Sequence, residues 1–182
     1  IRVGFVGIGH NAIGHIEAHR RVGKSQVVAF CDVNPERLQQ AGERFGVSRL
    51  YQSVDELCAQ PDIDAVSIHT GDPFHVEPFV AALRHGKHVL VEKPLALNLD
   101  DCTAMLEACE DAGTQLIVGH SYSFNAPVLL ARRLIDSGRW GAVQLVHAMQ
   151  YTDFLYRPRR PEELDTAQGG GVAFSQAAHQ MD

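Results

Sequence analysis

A glycine turn between an apolar run and a helical pattern constrains the fold of this chain more than any other feature. The run RVGFVGI at residues 2–8 is typical of a buried strand, and the spacing of apolar residues from Ala12 to Val22 indicates a helix. Gly7 permits a tight turn between the two, and the small Ala12 lets the helix pack close to the strand. The sequence therefore predicts a strand that passes directly into a helix at its carboxyl end.

The same strand-then-helix unit recurs along the first two thirds of the chain. Apolar runs that predict strands lie at 27–32, 65–70, 88–94 and 115–121, and helical patterns lie at 34–45, 74–84 and 99–112. Asn34 is a good N-cap, and Pro35 suits the first turn of the helix that follows it. Continuous apolar strands that alternate with amphipathic helices indicate an α/β fold with a doubly wound parallel sheet, which we place at residues 1–122.

The pattern changes after about Phe124. A helix is predicted at 127–137, and a longer strand, GAVQLVHAMQYTDF, follows it at 141–154. A long strand after a helix predicts that residues 123–182 begin a second, α+β domain with an open sheet. We expect this domain to be truncated, because the chain lacks an initial methionine and stops inside a predicted helix.

Composition and charge exclude several kinds of partner. The formal net charge of −6 argues against a nucleic-acid partner. No apolar run reaches the ~18–20 residues that span a bilayer, so no membrane partner is expected. The cysteines at positions 31, 58, 102 and 109 have no C-x-x-C spacing and lie in predicted strands or helices, which favours reduced thiols and a cytoplasmic location.

The glycine turn also carries a ligand-binding pattern. Gly7, Gly9 and Ala12 match G-x-G-x-x-G/A at a strand-to-helix turn, where the second glycine lets the backbone approach a pyrophosphate. The free N–H groups at the start of the helix then face the phosphates. The sequence thus predicts a Rossmann-type dinucleotide-binding domain, with His10 and Asn11 also beside the cofactor.

An acidic residue closes the second predicted strand. Asp32 lies twenty residues after Ala12, where a carboxylate accepts hydrogen bonds from the adenosine ribose hydroxyls and repels a 2′-phosphate. This position predicts NAD as the cofactor, with NADP disfavoured. The alternative interpretation is that Asp32 only forms the turn before Asn34.

The tripeptide Glu92-Lys93-Pro94 closes the strand predicted at 88–94. Ligands bind at this carboxyl edge in open α/β sheets, so Lys93 can enter the cleft, hydrogen-bond a substrate oxygen and exchange a proton with it. The alternative is a surface pair of Glu92 and Lys93 beside a turn proline.

Three motifs in this order resemble the Gfo/Idh/MocA family: the glycine turn, the Glu92-Lys93-Pro94 tripeptide about sixty residues after Asp32, and the segment GGG-x₇-H-x₂-D at 169–182. Members are dinucleotide-dependent dehydrogenases and oxidoreductases with a Rossmann domain followed by an open-faced β-sheet domain. The resemblance covers the whole chain. It implies that the full-length protein is a homo-oligomer that acts on a small-molecule substrate.

The resemblance also assigns roles to individual residues. It implies that Lys93 is the catalytic or substrate-orienting lysine and that His179 is a second polar catalytic group over the nicotinamide. It further places Thr70, His75 and Glu92 beside the cofactor. A Ser–His–Asp hydrolase is not expected, because no G-x-S-x-G turn surrounds the serine that precedes the histidine.

The chain departs from the family pattern at several polar positions. Ser175 stands where members commonly have an aspartate, four residues before the catalytic histidine. Gly71-Asp72 replaces the usual Pro-Asn, and Ser121 and Ser123 stand where polar or arginine groups are usual. These differences argue against a sugar-type substrate site and leave Ser175 as a candidate substrate contact.

A proline-stiffened basic segment precedes the glycine run. Arg157, Arg159 and Arg160 present guanidinium groups, which suit bidentate binding of carboxylates. The alternative is a subunit-contact loop, or a solvated charge run balanced by Glu162 and Glu163.

The same segment, continued to the last residue, resembles one branch of the family. The stretch 151–182 is similar to the phthalate 4,5-cis-dihydrodiol dehydrogenases, whose substrate carries two ring carboxylates. This resemblance implies that the three arginines contact the substrate, as an aromatic-catabolic enzyme would require.

We therefore expect an NAD(P)-dependent dehydrogenase acting on CH–OH or CH–CH groups. A hydride would pass from a ring carbinol to nicotinamide C4 while Lys93 or His179 takes the hydroxyl proton. Two alternatives remain open: a polyol, inositol or sugar dehydrogenase of the same family, and a non-catalytic dinucleotide-sensing regulator. The presence of both Lys93 and His179 argues against the regulator.

The first predicted helix carries two histidines one turn apart. His15 and His19 have the i, i+4 spacing that can bind zinc. No third ligand is evident from the sequence, so we predict no metal site and interpret the pair as a helix face near the cofactor.

Overall fold

The computed structural model describes residues 1–151, 156, 158, 159 and 161–182. The chain divides into two compact units, Ile1–Gly119 and His120–Asp182. Each unit has its own secondary structure and is described by itself.

A six-stranded parallel sheet forms the centre of the first unit. Its strands are paired in the order β3-β2-β1-β4-β5-β6. The bounds are β1 Arg2–Val6, β2 Gln26–Cys31, β3 Leu50–Tyr51, β4 Ala65–Ile68, β5 His88–Val91 and β6 Leu116–Val118. The chain builds outward from β1 in one direction and from β4 in the other. This is the doubly wound Rossmann topology, so the predicted fold class is confirmed.

Helices cover both faces of this sheet. They are α1 His10–Val22, α2 Pro35–Phe45, α3 Val54–Cys58, α4 Val76–Arg84 and α5 Leu99–Asp111. Phe5 of β1 packs with Ile16 of α1 on one face, whereas Val6 packs with residues of α3 and α4 on the other. Because successive strand residues point to opposite faces, one strand serves two buried cores.

Side-chain caps define where several helices begin. The Asn34 side chain accepts a hydrogen bond from the Arg37 backbone, as predicted for this N-cap, and Asn98 caps α5 in the same way. Two short elements were not predicted, β3 and α3. They span two and five residues, too few to show a repeating apolar pattern.

The second unit begins with a short 3₁₀ turn and the helix α6, Ala126–Asp136. The long strand predicted at 141–154 is wrong for its described part, because residues 141–151 form neither strand nor helix. A strand needs a neighbour to receive its backbone hydrogen bonds, and no strand lies beside this stretch among the described residues. Its apolar side chains are accordingly exposed.

The last described segment, 161–182, is built from short turns. Two 3₁₀ turns, Pro161–Glu163 and Thr166–Gln168, lead into a π-helical stretch at Ala173–Ala177 and then the helix α7, Ala178–Met181. Gly169 and Gly171 have φ values of 81° and 84°, which side-chain-bearing residues rarely adopt. The glycine run therefore permits the abrupt start of this helical segment.

Across the described residues, none of the helices combines the length and apolar character needed to cross a membrane. All four cysteines are free thiols, and three of them are buried.

A buried lysine ties β5 to the loop before β4. Lys87 is 7% exposed, and its Nζ donates 2.8 Å hydrogen bonds to the carbonyl oxygens of Gln60 and Ile63. We expect Lys87→Met to lower the free energy of unfolding by about 1–3 kcal/mol, because both carbonyls lose a charged donor. Urea-induced unfolding of the full-length protein measures this.

The matched control is Lys24→Met, since Lys24 is exposed. Equal stability of the two variants would show that the buried ammonium contributes nothing to holding the sheet.

Candidate functional site

The order of the strands places one crevice at the carboxyl edge of the sheet. β1 and β4 are neighbours, and the chain winds away from them in opposite directions. Ligands bind at such switch points in open α/β sheets. The segments that follow β1, β2, β4 and β5 carry Gly7, Asp32, His69 and Glu92, and these define the candidate site.

The turn after β1 is held close to the turn after β4. Gly7 has φ 80°, and a Cβ added to it would lie 2.7 Å from the backbone nitrogen of Thr70 and 2.8 Å from the carbonyl carbon of His69. Only glycine fits this contact. At Gly9, in contrast, an added Cβ would meet no atom within 4 Å. The backbone at Gly9 thus faces open space at the start of α1.

The N-terminus of α1 has the features of an anion site. Gly9 is its N-cap and provides no side-chain hydrogen bond, and the first turn contains no acidic residue. His10 and Asn11 are exposed there, whereas Ala12 is completely buried against the sheet. The first N–H groups of a helix carry positive potential and need acceptors, so they suit a pyrophosphate. These residues fit a dinucleotide.

Asp32 is 5% exposed and is bonded on several sides. Its Oδ2 accepts a 2.8 Å hydrogen bond from the Ile8 backbone and lies 3.3 Å from Arg37 Nη1, while Oδ1 accepts from the Asn34 backbone at 2.9 Å. The carboxylate therefore forms the turn before Asn34 and also anchors the glycine loop. A carboxylate has about four acceptor positions, which leaves about one for a ribose hydroxyl.

Thr70 and His75 shape the loop that follows β4. The Thr70 hydroxyl donates a 2.7 Å hydrogen bond to the Phe74 carbonyl. His75 is completely buried, its Nδ1 donates to the Pro94 carbonyl at 2.8 Å, and its Nε2 lies 3.3 Å from the Thr70 carbonyl. The structure thus gives His75 backbone partners, and it joins this loop to the segment that carries Lys93.

Glu92 and Lys93 follow β5. Lys93 is partly buried, and the Lys93–Pro94 peptide bond is cis. Glu92 Oε1 lies 2.9 Å from His15 Nε2, and Oε2 accepts a 3.3 Å hydrogen bond from the Lys93 backbone. Burial acts to raise the pKa of Glu92, but the hydrogen bond with His15 and the electrostatic effects of His15, His69 and Lys93 together outweigh it and leave that pKa below its ordinary value. The carboxylate therefore connects α1 to the lysine.

His69 is a site residue that the sequence analysis missed. Its ring stacks on Phe5 at a centroid distance of 5.2 Å, its Nε2 lies 2.8 Å from Ser67 Oγ, and its Nδ1 lies 3.8 Å from Glu92 Oε1. Burial, and then the neighbouring His15, lower the pKa of His69 to about 3. The only signal in the sequence was a histidine at the end of an apolar strand.

The second unit contains the other predicted catalytic group. The His179 ring stacks on Tyr122, with centroids 4.3 Å apart and planes 20° apart. Ser175 Oγ donates a 2.7 Å hydrogen bond to the Gly171 carbonyl. The helical segment is π-helical at 173–177, so the 3.6-residue period of an α-helix does not apply there. Ser121 and Ser123 lie in the 3₁₀ turn at Ser121–Phe124.

The arginine segment is described only in part. Arg157 and Arg160 lie outside the described residues. Arg159 is partly buried, and its Nη1 lies 3.7 Å from Glu163 Oε1. This ion pair agrees with the alternative of a balanced charge run.

Several known proteins that are similar to this chain are named as dehydrogenases. The 1-carboxy-3-chloro-3,4-dihydroxycyclohexa-1,5-diene dehydrogenase of Comamonas testosteroni is 46% identical over 182 residues, which are 100% of this chain and 46% of that protein. The crystal structure of a dehydrogenase from Bordetella bronchiseptica RB50 matches with a TM-score of 0.93 and 39% identity, over 100% of this chain and 48% of that one.

A third similar protein is the scyllo-inositol dehydrogenase of Lactobacillus casei, solved with NAD(H) and scyllo-inositol. Its TM-score is 0.68 and its identity 29%, over 78% of this chain and 42% of that one. The chain thus spans about half the length, or less, of the relatives it matches.

The family model described as an oxidoreductase family with an NAD-binding Rossmann fold matches residues 1–120, which are the first unit and one residue more. Together with the glycine turn and the Glu92-Lys93-Pro94 strand end, this match confirms the resemblance seen in the sequence. The chain belongs to the Gfo/Idh/MocA oxidoreductase family, with its NAD-binding Rossmann fold.

Proposed function

We propose that the protein is an NAD-dependent dehydrogenase that oxidises a secondary carbinol. One observation carries this proposal: Lys93 follows β5 at the same edge of the sheet where the glycine loop and α1 form an anion site. A lysine at the rim of a dinucleotide crevice can hydrogen-bond a substrate hydroxyl and, as the neutral amine, accept its proton.

In this proposal, some residues of the chain bind the cofactor and others transfer the proton. When bound, NAD would supply the hydride acceptor. The glycine loop and the first turn of α1 would hold the pyrophosphate, and Asp32 would accept a hydrogen bond from a ribose hydroxyl. Lys93 or His179 takes the proton of the substrate hydroxyl as its carbon becomes a ketone, so the substrate loses one hydride and one proton.

Glu92 and His75 position the lysine. Glu92 Oε2 accepts from the Lys93 backbone, and His75 binds the carbonyl of Pro94, so both sides of the Lys93 main chain are held. Fixing a catalytic group before the substrate arrives reduces the entropy lost in reaching the reactive geometry.

For the substrate, we propose a cis-dihydrodiol of a carboxylated ring. The relative from Comamonas testosteroni is named for a carboxylated dihydroxycyclohexadiene, and it is 46% identical over the whole chain. Oxidation of such a diol gives a ketone that tautomerises to a catechol, so aromatisation drives the reaction forward. The finer form of the proposal is an aromatic dicarboxylate of the phthalate type, with Arg157, Arg159 and Arg160 as its carboxylate contacts.

A polyol substrate is the second candidate. The similar enzyme from Lactobacillus casei was solved with scyllo-inositol, which carries no carboxylate. A polyol needs hydrogen-bond partners but no arginines, so the two candidates differ in what they require of the basic segment.

The open space at Gly9 gives a test of the NAD site. Gly9 has φ −81°, which any residue adopts, so Gly9→Ala should fold normally while its methyl group occupies the path of the pyrophosphate. We expect the Kd for NAD to rise about tenfold or more, equivalent to ~1.4 kcal/mol. Calorimetric titration with NAD and a thermal melt measure the two effects.

The control is Gly14→Ala, one turn further along α1, where an added Cβ also meets nothing within 4 Å. This change should leave NAD affinity unaltered and stabilise the helix slightly. An unchanged Kd in Gly9→Ala would place the pyrophosphate elsewhere.

Removing the amine at position 93 tests the proton-transfer role. Lys93→Ala should reduce kcat by roughly 100-fold or more, the scale expected for loss of an acid–base group. Lys93→Arg keeps the positive charge but cannot release a proton near neutral pH, so it should not restore kcat. Steady-state turnover with NAD measures both.

Lys24→Ala serves as the control, because this exposed lysine lies outside the crevice residues. Near-normal turnover by Lys93→Ala would refute the assignment.

A substrate panel separates the two candidate substrates. We expect NAD reduction by the full-length protein with the phthalate cis-dihydrodiol and little with myo-inositol or glucose. Arg159→Gln should raise KM for the dihydrodiol about 10–100-fold, because a charged hydrogen bond contributes roughly 1.5–3 kcal/mol.

Arg139→Gln is the matched control, since Arg139 is exposed and its guanidinium lies over Trp140. Turnover of inositol alone would leave the dehydrogenase assignment intact and exclude the carboxylate contacts. Equal KM values for the two variants would exclude Arg159 only.

A further inference from the structure

Three potential metal ligands from distant parts of the first unit converge beside the crevice. His15 lies on α1, His69 follows β4, and Glu92 follows β5. Each offers one donor atom, and the three donor atoms lie within 4.8 Å of one another. Glu92 Oε1 is 2.9 Å from His15 Nε2 and 3.8 Å from His69 Nδ1.

The donor set is one that zinc prefers. Two imidazole nitrogens and one carboxylate oxygen are the protein ligands of many zinc sites with an open position. With zinc–ligand bonds of about 2.0–2.2 Å, ligand atoms in a tetrahedron lie roughly 3.4 Å apart. The distance from Glu92 Oε1 to His15 Nε2 is shorter than this spacing, and the distance to His69 Nδ1 is longer. Side-chain shifts of about 0.5 Å would bring both pairs to the spacing of zinc ligands.

His69 provides an independent observation that points into the cluster. Its side chain has no exposed surface, and its Nδ1 is buried without a hydrogen-bond partner in the part of the chain that the structure describes. At 3.8 Å, Glu92 is too far to be that partner. A buried nitrogen left without a partner costs free energy, and an ion bound between His69 and Glu92 would supply the missing interaction.

The surroundings of His69 also match those of a metal ligand. Ser67 Oγ lies 2.8 Å from the other ring nitrogen, Nε2, and the ring stacks on Phe5. Histidines that bind metals usually have their second nitrogen held in this way, which fixes the direction of the first. The side chain of His15 is 31% exposed, so an ion can reach the cluster from solvent.

We propose that His15, His69 and Glu92 bind one divalent ion of the zinc class. The ion has three protein ligands and an open fourth position, and it fastens α1 to the ends of β4 and β5. A plain ion pair of His15 with Glu92 satisfies those two groups but leaves the buried His69 Nδ1 unexplained.

The i, i+4 pair of His15 and His19 is the competing site on the same helix. His19 Nδ1 lies 2.5 Å from Ser25 Oγ, and its ring packs nearly perpendicular to that of Phe5. His19 does not belong to the three-residue cluster. A substitution at His19 therefore distinguishes the two sites.

The test is metal binding by tag-free, full-length protein that has been stripped with a chelator. Calorimetric titration with Zn²⁺ and the visible spectrum with Co²⁺ should each give one equivalent per chain, and saturating Zn²⁺ should raise the Tm. His69→Ala should abolish this equivalent, and Ser67→Ala should weaken it about tenfold or more. His19→Ala should bind as the unmodified protein does.

Two results would overturn the proposal. One is the absence of a stoichiometric site in the unmodified protein. The other is a site that survives His69→Ala but is lost in His19→Ala, which would assign the ion to the helix pair. Should His69→Ala fail to fold, Glu92→Gln tests the same ligand set, with retained binding counting against the cluster. None of these readouts depends on dehydrogenase activity.

Discussion

The close approach of two backbone segments at Gly7 is the constraint on which the rest of the site depends. Any side chain there would lie within 3 Å of main-chain atoms of His69 and Thr70, so only a glycine lets the loops after β1 and β4 meet. Since the chain leaves these two strands in opposite directions, their contact fixes where the crevice opens. Asp32 then holds the same glycine loop from its other side through the Ile8 N–H.

Glu92 links the helix α1 to the backbone of Lys93. One oxygen pairs with His15 on the helix whose N-terminus suits the pyrophosphate, and the other accepts from the backbone of Lys93. A buried carboxylate needs such partners, because burial alone favours its neutral form. Glu92, which precedes the proposed catalytic lysine, therefore also anchors α1. The tripeptide Glu92-Lys93-Pro94 alone does not reveal this second role, because the contact with His15 joins distant parts of the sequence.

Helices and strands long enough to show a repeating pattern of apolar residues could be predicted from the sequence. Residues whose position is set by a short local motif could be predicted as well. The doubly wound parallel sheet follows from alternating strands and helices, whereas β3 and α3 are too short to predict, although Leu57 of α3 packs against Gly4. The apolar pattern of the stretch 141–151 predicts a strand, but such a pattern describes the side chains only. It does not show whether a neighbouring strand is present to receive the backbone hydrogen bonds. His69 was missed for a related reason: its stack on Phe5 and its approach to Glu92 are contacts between segments far apart in sequence.

The two units contribute differently to the proposed reaction. Within the first unit, the glycine loop, Asp32 and Lys93 are placed by a sheet whose strands all have hydrogen-bonded neighbours, so the features that suit NAD rest on a rigid scaffold. In the second, His179 lies on a short helical segment after a glycine run, and Arg159 belongs to neither a helix nor a strand. In the proposed enzyme, strand ends would therefore bind the dinucleotide, whereas loops, which vary most readily between relatives that share one fold, would recognise the substrate. Enzymes that share this fold can therefore differ in substrate, as the names of the relatives from Comamonas testosteroni and Lactobacillus casei illustrate.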